Sequence, residues 1–245
     1  MHKRWGVFVL LAAGVIASVC TAADWPQFRG PDRDGKSAET GLLKEWPQAG
    51  PELVWSVEGL GAGYESAAIA NGLVYTTGKH GPDGYIFYFD LDGKLKWKIR
   101  YGPEWTKSYP ATRTTPTVDD GKLYLFSGLG TVYCLDAKTG AEVWSRDVFG
   151  EFDGQFPTWG MSECLLVDGS KVIATPGGKK ASVVALNKNT GDVLWACTEL
   201  TKGSAYCNPL AIEYKGNRMI VTMSRDSVVG INAATESRDC LLYTS

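Results

Sequence analysis

The sequence predicts an all-β fold, and three observations carry that prediction. The 245 residues include 29 Gly, 9 Trp, 11 Tyr and 8 Phe, and this glycine content is well above the roughly 7 % of an average protein. Asn-Gly and Asp-Gly pairs stand between short apolar runs, where they favour the positive φ of tight hairpins. A pattern of four such runs also repeats along the chain.

Composition excludes several classes of protein. Hydrophobic residues make up 44 % and charged residues 21 % of the chain, which is neither a disordered nor a membrane-embedded composition. Lys and Arg number 25 against 27 Asp and Glu, so the chain carries no basic surplus for nucleic acid. We therefore expect no nucleic-acid partner.

Residues 1–23 are predicted to be a signal peptide. Two basic residues precede an apolar run over 5–19, and small residues follow at 21–23. The run is shorter than the ~18 residues of a membrane span, so we expect cleavage after Ala23 and no transmembrane span in the mature chain. An uncleaved anchor and lipid attachment at Cys20 remain alternatives. The predicted location is the periplasm or the exterior.

After an N-terminal arm over 24–50, four repeat units occupy residues 51–235. Each unit reads as short β-rich runs, and the first two runs are joined by a turn pair in the first three units. Those pairs are Asn71-Gly72, Asp120-Gly121 and Asp168-Gly169. Four antiparallel strands in every 40–50 residues are typical of the blades of a β-propeller.

Tryptophans close the successive units. Trp55, Trp97, Trp144 and Trp195 are 42, 47 and 51 residues apart, and residues 52–55 read as the last strand of an earlier unit. One blade cannot bury both faces of its sheet, so we expect these indoles to pack between neighbouring blades.

The fourth unit breaks off. Glu236 and Cys240 stand where the pattern of the earlier units places Gly and Trp. We therefore expect no blade strand in residues 236–245, and we interpret them as a non-native or disordered tail.

Few residues indicate catalysis or a metal site. His80 is the one histidine left after signal cleavage, and we expect it in a flexible, solvated loop over 79–84. No cysteine pair has Cys-x-x-Cys spacing, so neither a zinc nor a redox site is predicted. Cys197 and Cys207 flank the link between the third and fourth units, where they could form a disulfide or stay unpaired.

The candidate binding residues precede the innermost strand of each blade, at Glu65, Arg113, Trp159, Glu163 and Asn208. Glu65, Glu163 and Asn208 offer oxygen ligands for calcium, Arg113 could hold a carboxylate, and Trp159 could stack on a planar ring. The alternative is a solvated mouth with structural ion pairs. Residues 105–109 form a second candidate ligand loop.

Two segments closing the second and third units, residues 136–144 and 187–195, resemble the tryptophan-docking motif of pyrroloquinoline-quinone (PQQ) repeat propellers. Residues 24–37 resemble the start of a large exported group of PQQ-like propeller proteins. The resemblance implies seven or eight blades, so this chain would be a C-terminally truncated arc of about four. The family holds quinoprotein dehydrogenases as well as non-enzymatic propellers, among them a lipoprotein that helps assemble outer-membrane β-barrels.

The resemblance implies two functions. The first is an exported, non-catalytic binding or scaffold propeller with a protein or polymer partner. The alternative is a PQQ- and calcium-dependent quinoprotein dehydrogenase that oxidises an alcohol or sugar, with Glu65 and Glu163 as candidates for its base. The adjacent cysteines typical of PQQ alcohol dehydrogenases are absent from this sequence, and no catalytic residue is assigned.

Overall fold

The computed structural model describes residues 23–233 and the backbone of 240–243, so the predicted signal peptide lies outside the described residues. The first sheet holds β1 (Ala68–Ala70), β2 (Leu73–His80), β3 (Asp83–Asp90) and β4 (Leu95–Pro103). The second holds β5 (Thr117–Asp119), β6 (Lys122–Phe126), β7 (Thr131–Asp136) and β8 (Glu142–Asp147). The third holds β9 (Leu166–Asp168), β10 (Lys171–Ala174), β11 (Val183–Asn187) and β12 (Val193–Cys197). The fourth holds β13 (Leu210–Tyr214), β14 (Asn217–Ser224), β15 (Ser227–Asn232) and β16 (Cys240–Tyr243).

Each sheet is four consecutive antiparallel strands in chain order, which confirms the predicted all-β fold of four-stranded blades. The first strands of neighbouring sheets contact one another, β1 with β5, β5 with β9 and β9 with β13. These first strands are therefore the inner strands of the arrangement. A single five-residue helix, α1 (Val148–Phe152), follows β8, and no helix of the described residues is long and apolar enough to cross a bilayer.

The glycine turns explain the first hairpins. Asn71 and Gly72 have φ of 53° and 74°, and Asp120 and Gly121 have 48° and 71°, so both pairs adopt the left-handed conformation that two-residue hairpins need. The third hairpin differs from the prediction. Asp168 pairs with Lys171 as the last residue of β9, so the turn falls on residues 169–170 instead.

Two sequence expectations differ from the structure. Residues 240–243 form β16, which pairs with β15 as the outermost strand of the fourth sheet, although no strand was expected there. The sequence of this strand lacks the Gly and Trp that mark its counterparts. His80 also lies outside any flexible loop, because β2 extends to it and its ring packs edge-on against Tyr85, with centroids 5.5 Å apart.

Three indoles contact the next sheet along the chain in one repeated way. The nitrogens of Trp55, Trp97 and Trp144 donate to the backbone carbonyls of Leu91, Lys138 and Lys188 at 2.6, 3.1 and 3.1 Å. A glycine lies against each ring, and these are Gly93, Gly140 and Gly191, with φ between 74° and 77°. Trp195 packs in a cluster with Ile220 and Val229 of the fourth sheet, but its buried Nε1 has no hydrogen-bond partner.

The N-terminal arm crosses the inner strands. Trp25 exchanges backbone hydrogen bonds with Ile69 of β1, at 2.7 and 2.9 Å. Further along the arm, the buried Arg33 donates to carbonyl oxygens of the third and fourth sheets' lead-in segments, namely those of Cys164, Leu165 and Pro209. One guanidinium therefore joins the arm to two sheets.

Cysteine pairing differs from the possibility left open by the sequence. Cys197 is disulfide-bonded, whereas Cys207 is a free thiol, so these two residues do not pair with each other. Cys134 in β7 and Cys164 just before β9 are buried free thiols, and each packs as a small apolar side chain.

Candidate functional site

Three residues lead into each inner strand, and we call them the lead-in triplets. They are residues 64–66, 113–115, 162–164 and 206–208, one triplet for each sheet. The three members of a triplet have different neighbours in the structure. The structure gives each member a recurrent role.

The third member of each triplet links neighbouring sheets. The backbone N–H of Ser66 donates to Oγ1 of Thr115 at 3.1 Å, and that of Thr115 to Sγ of Cys164 at 3.2 Å. The N–H of Cys164 donates in turn to Oδ1 of Asn208 at 2.6 Å. We call this chain of hydrogen bonds the belt. Asn208, a predicted calcium ligand, thus directs its oxygen at a neighbouring backbone.

The second member bonds within its own sheet in three of the four triplets. Thr114 donates to the carbonyl of Phe126 at 2.7 Å, at the end of β6. Glu163 accepts from the N–H of Thr175 at 3.0 Å, just after β10. The equivalent Cys207 accepts from a backbone N–H of β14 at 3.2 Å.

Both glutamates of the predicted site occupy this second position. Glu163 is 1 % exposed, and its Oε2 has no hydrogen-bond partner. Burial raises the pKa of Glu163 well above its ordinary value, against the lowering effect of its bond from Thr175 and of the Arg33 charge. Burial likewise raises the pKa of Glu65, whose Oε2 accepts from Thr112 at 2.8 Å.

The first members converge on one cleft with a volume of about 560 Å³. Each of the four sheets contributes one of them, and the other two lining residues come from the links between sheets. The full lining is Tyr64, Tyr109, Arg113, Trp159, Ser162 and Tyr206. Four of these six are aromatic, and each of the four remains between 45 % and 65 % exposed.

The cleft walls are held in place by their own contacts. The guanidinium of Arg113 lies 5.2 Å from the ring centre of Tyr64 and donates to the backbone carbonyls of Ser108 and Tyr109. On the other wall, the rings of Trp159 and Tyr206 lie 5.5 Å apart, and the N–H of Trp159 donates to the Tyr206 hydroxyl at 2.8 Å. Three of the four rings, those of Tyr64, Trp159 and Tyr206, therefore contact a neighbouring side chain that favours their orientation.

The structure brings two of the five predicted binding residues together, Arg113 and Trp159. Glu65, Glu163 and Asn208 do not line the cleft, because they hold the second and third triplet positions. The remaining lining residues are Tyr64, Tyr109, Ser162 and Tyr206. Their signal in the sequence is the position two residues before each belt residue, and Tyr109 comes from the link over 105–109.

The predicted calcium ligands do not fit a metal site. One oxygen each of Glu65, Glu163 and Asn208 accepts from a separate partner within the protein, at Thr112, Thr175 and Cys164. Across residues 23–233, no group of three or more His, Cys, Asp or Glu side chains is arranged to hold a metal ion.

Successive four-stranded sheets with contacting inner strands define a β-propeller protein. Residues 39–238 match the model of a family described as "Outer membrane protein assembly factor BamB". The chain belongs to this family of PQQ-repeat proteins, which confirms the resemblance of its motifs.

Curated relatives of both functional kinds match parts of the chain. The outer membrane protein assembly factor BamB of Bordetella pertussis is 28 % identical over 130 residues, which are 53 % of this chain and 30 % of that protein. The quinoprotein ethanol dehydrogenase of Pseudomonas aeruginosa is 31 % identical over 116 residues, which are 45 % of this chain and 17 % of that protein. The matches thus span less than a third of either relative's length.

Solved structures share the fold. Quinohemoprotein alcohol dehydrogenase from Comamonas testosteroni superposes with a TM-score of 0.61 at 17 % identity, over 90 % of this chain and 41 % of that one. The corresponding enzyme ADHIIG from Pseudomonas putida gives a TM-score of 0.52 at 17 % identity, over 77 % of this chain and 35 % of that one. At these identities the likeness concerns the fold.

Proposed function

We propose that this protein is an exported, non-catalytic propeller that binds a protein or polymer partner through the aromatic cleft. The observation that carries the proposal is the convergence of one lead-in residue from every sheet, together with Tyr109 and Trp159, on a single exposed cleft. Tyr, Trp and Arg are the residue types enriched among the side chains that dominate binding energy at protein interfaces.

Rigidity supports the same proposal. A binding surface that is already ordered loses less side-chain entropy on association. Here the Trp159–Tyr206 pair and the Arg113–Tyr64 pair are ordered by internal contacts, and the belt fixes the segments that carry three of these residues. We further propose that the indoles of Trp55, Trp97, Trp144 and Trp195 serve as docking groups that hold the sheets around the cleft.

The alternative is a PQQ- and calcium-dependent dehydrogenase that oxidises an alcohol or sugar. The match to quinoprotein ethanol dehydrogenase favours it. The residues available as base and calcium ligands weigh against it, because Glu163 is 1 % exposed and Asn208 is bonded to Cys164. Dye reduction with ethanol or glucose, after addition of PQQ and calcium to the purified full-length protein, would establish the enzyme and overturn the non-catalytic proposal.

Site-specific crosslinking tests the binding role. A photo-crosslinking phenylalanine analogue replaces Tyr206 in the cleft or, as a control, Tyr214, which is 53 % exposed at the end of β13. We expect a defined adduct from position 206 in intact cells and none from position 214. Trp159→Ala in the same protein should abolish the adduct. Equal adducts at both positions, or none at position 206, would refute partner binding at the cleft.

A further inference from the structure

We propose that the cleft recognises an acidic peptide segment of a partner protein, with carboxylates beside an aromatic side chain. This inference rests on the proposed function and names the chemistry of the partner. Three properties of the cleft support it, namely the donor character of its polar atoms, its unneutralised cation and its exposed rings.

Hydrogen-bond donors dominate the polar atoms of the cleft. The guanidinium of Arg113 and the indole N–H of Trp159 can only donate. The remaining polar side chains are hydroxyls of Ser162 and the tyrosines, which can donate or accept. Among the described residues that line the cleft, none has a carboxylate or amide side chain, so the cleft favours a ligand rich in acceptors, such as carboxylates and peptide carbonyls.

The cation of the cleft has no ion-pair partner among the described residues. Arg113 forms no salt bridge within residues 23–233, and its Nε is buried without a hydrogen-bond partner. Burial raises the pKa of Glu104 overall, although the positive charge of Arg113 acts to lower that pKa. Glu104 is 2 % exposed, accepts hydrogen bonds from Tyr101 and Gly128, and does not line the cleft. A carboxylate that enters the cleft would supply the negative charge to pair with the positive charge of Arg113.

The exposed rings indicate an aromatic neighbour for that carboxylate. Trp159 and Tyr206 together present a two-ring surface, and Tyr109 lines the same cleft at 65 % exposure. Aromatic rings pair well with other rings in offset or edge-on contacts. A cleft of about 560 Å³ lies within the usual range for small ligands, so it accommodates a short segment and no large domain.

An oligosaccharide fits the same cleft less well. Its many hydroxyl groups each carry a donor that needs an acceptor when buried. The side-chain acceptors of the described lining residues are hydroxyl oxygens, and that of Tyr206 already accepts from the backbone of Trp159. A peptide segment with ionised carboxylates needs hydrogen-bond donors instead, and the cleft provides them.

The test compares two peptides on the wild-type full-length protein by fluorescence anisotropy. One is labelled Gly-Asp-Trp-Asp-Gly with blocked ends, and the other carries Asn at both Asp positions. We expect the Asp peptide to bind at least tenfold more tightly, with the difference shrinking as salt rises. A galacturonate trisaccharide serves as the third probe.

Matched variants locate the binding. Arg113→Gln should weaken the Asp peptide about tenfold and remove the preference for Asp over Asn, whereas Arg100→Gln, on an exposed arginine outside the cleft, should not. Trp159→Ala should weaken both peptides, and Trp46→Ala, on a 70 % exposed tryptophan elsewhere, should weaken neither.

The outcomes separate this inference from the proposed function. Equal affinity for both peptides, tighter binding of the trisaccharide, or no binding of any probe would overturn the acidic-peptide inference. A crosslinked partner at position 206 would still stand in each of those cases. Because the peptide comparison uses the wild-type protein, a misfolded Arg113 variant would leave the test intact.

Discussion

Replacing Gly191 by alanine tests how closely the third sheet packs against the indole of Trp144 in the second sheet. A Cβ at this position would lie 2.7 Å from Cε3 of Trp144, whereas ordinary carbon contacts are about 3.5–4.0 Å. The ring would have to move by about 1 Å, which weakens its hydrogen bond to Lys188. Gly191 also has a φ of 75°, where alanine is strained by roughly 1–2 kcal/mol.

Gly121→Ala is the matched control, because Gly121 has a φ of 71° and no atom within 4 Å of its would-be Cβ. Both variants carry the backbone strain, and Gly191→Ala alone carries an overpacking cost of about 1–3 kcal/mol. Urea unfolding followed by tryptophan fluorescence should therefore give Gly191→Ala the lower free energy of unfolding by that amount. Equal losses in the two variants would refute the idea that indole and glycine fit each other closely.

Two further predictions concern buried charges at the inner strands. Arg33→Met should lower the free energy of unfolding by about 3 kcal/mol or more in urea, because it leaves several carbonyl oxygens without their donor. The exposed Arg29→Met, also at a positive φ, should stay within about 0.5 kcal/mol, and equal effects would contradict the role of Arg33. Burial raises the folded-state pKa of Glu163 above its ordinary value of 4.5. The stability that its neutral carboxyl group contributes is therefore fully present below pH 4.5 and is lost as the pH rises through the folded-state pKa. Glu163→Gln should flatten this decline in stability with pH, as measured by unfolding between pH 4 and 8, and an unchanged slope would count against it.

Local chemistry explains why the blades were predictable from sequence. Asn71-Gly72 and Asp120-Gly121 adopt the turn conformation that their residue types favour, independent of anything distant. The third turn was displaced because the pairing of Asp168 extends β9, and a dipeptide does not encode that register. Residues 240–243 form a strand through backbone pairing with β15, which needs no marker residue.

The site was harder to predict because the belt hydrogen bonds join residues that lie 44 to 49 positions apart in the sequence. Asn208 and Glu163 are suitable calcium ligands by residue type, yet their triplet positions direct them to backbone groups. Arg113 has the position that faces the cleft. Aligning the repeats on the belt residues, and taking the residue two positions earlier, selects the four first members of the lining.

The arm adds a condition of timing to the synthesis of this chain. The first carbonyl partner of Arg33, Cys164, lies 131 positions later in the chain, and the last, Pro209, lies 176 positions later. At roughly 5–20 residues per second, ribosomes complete that second stretch roughly 9–35 s after Arg33 itself. The arm therefore cannot complete its hydrogen bonds until the lead-in segments of both the third and the fourth sheet have been added to the chain.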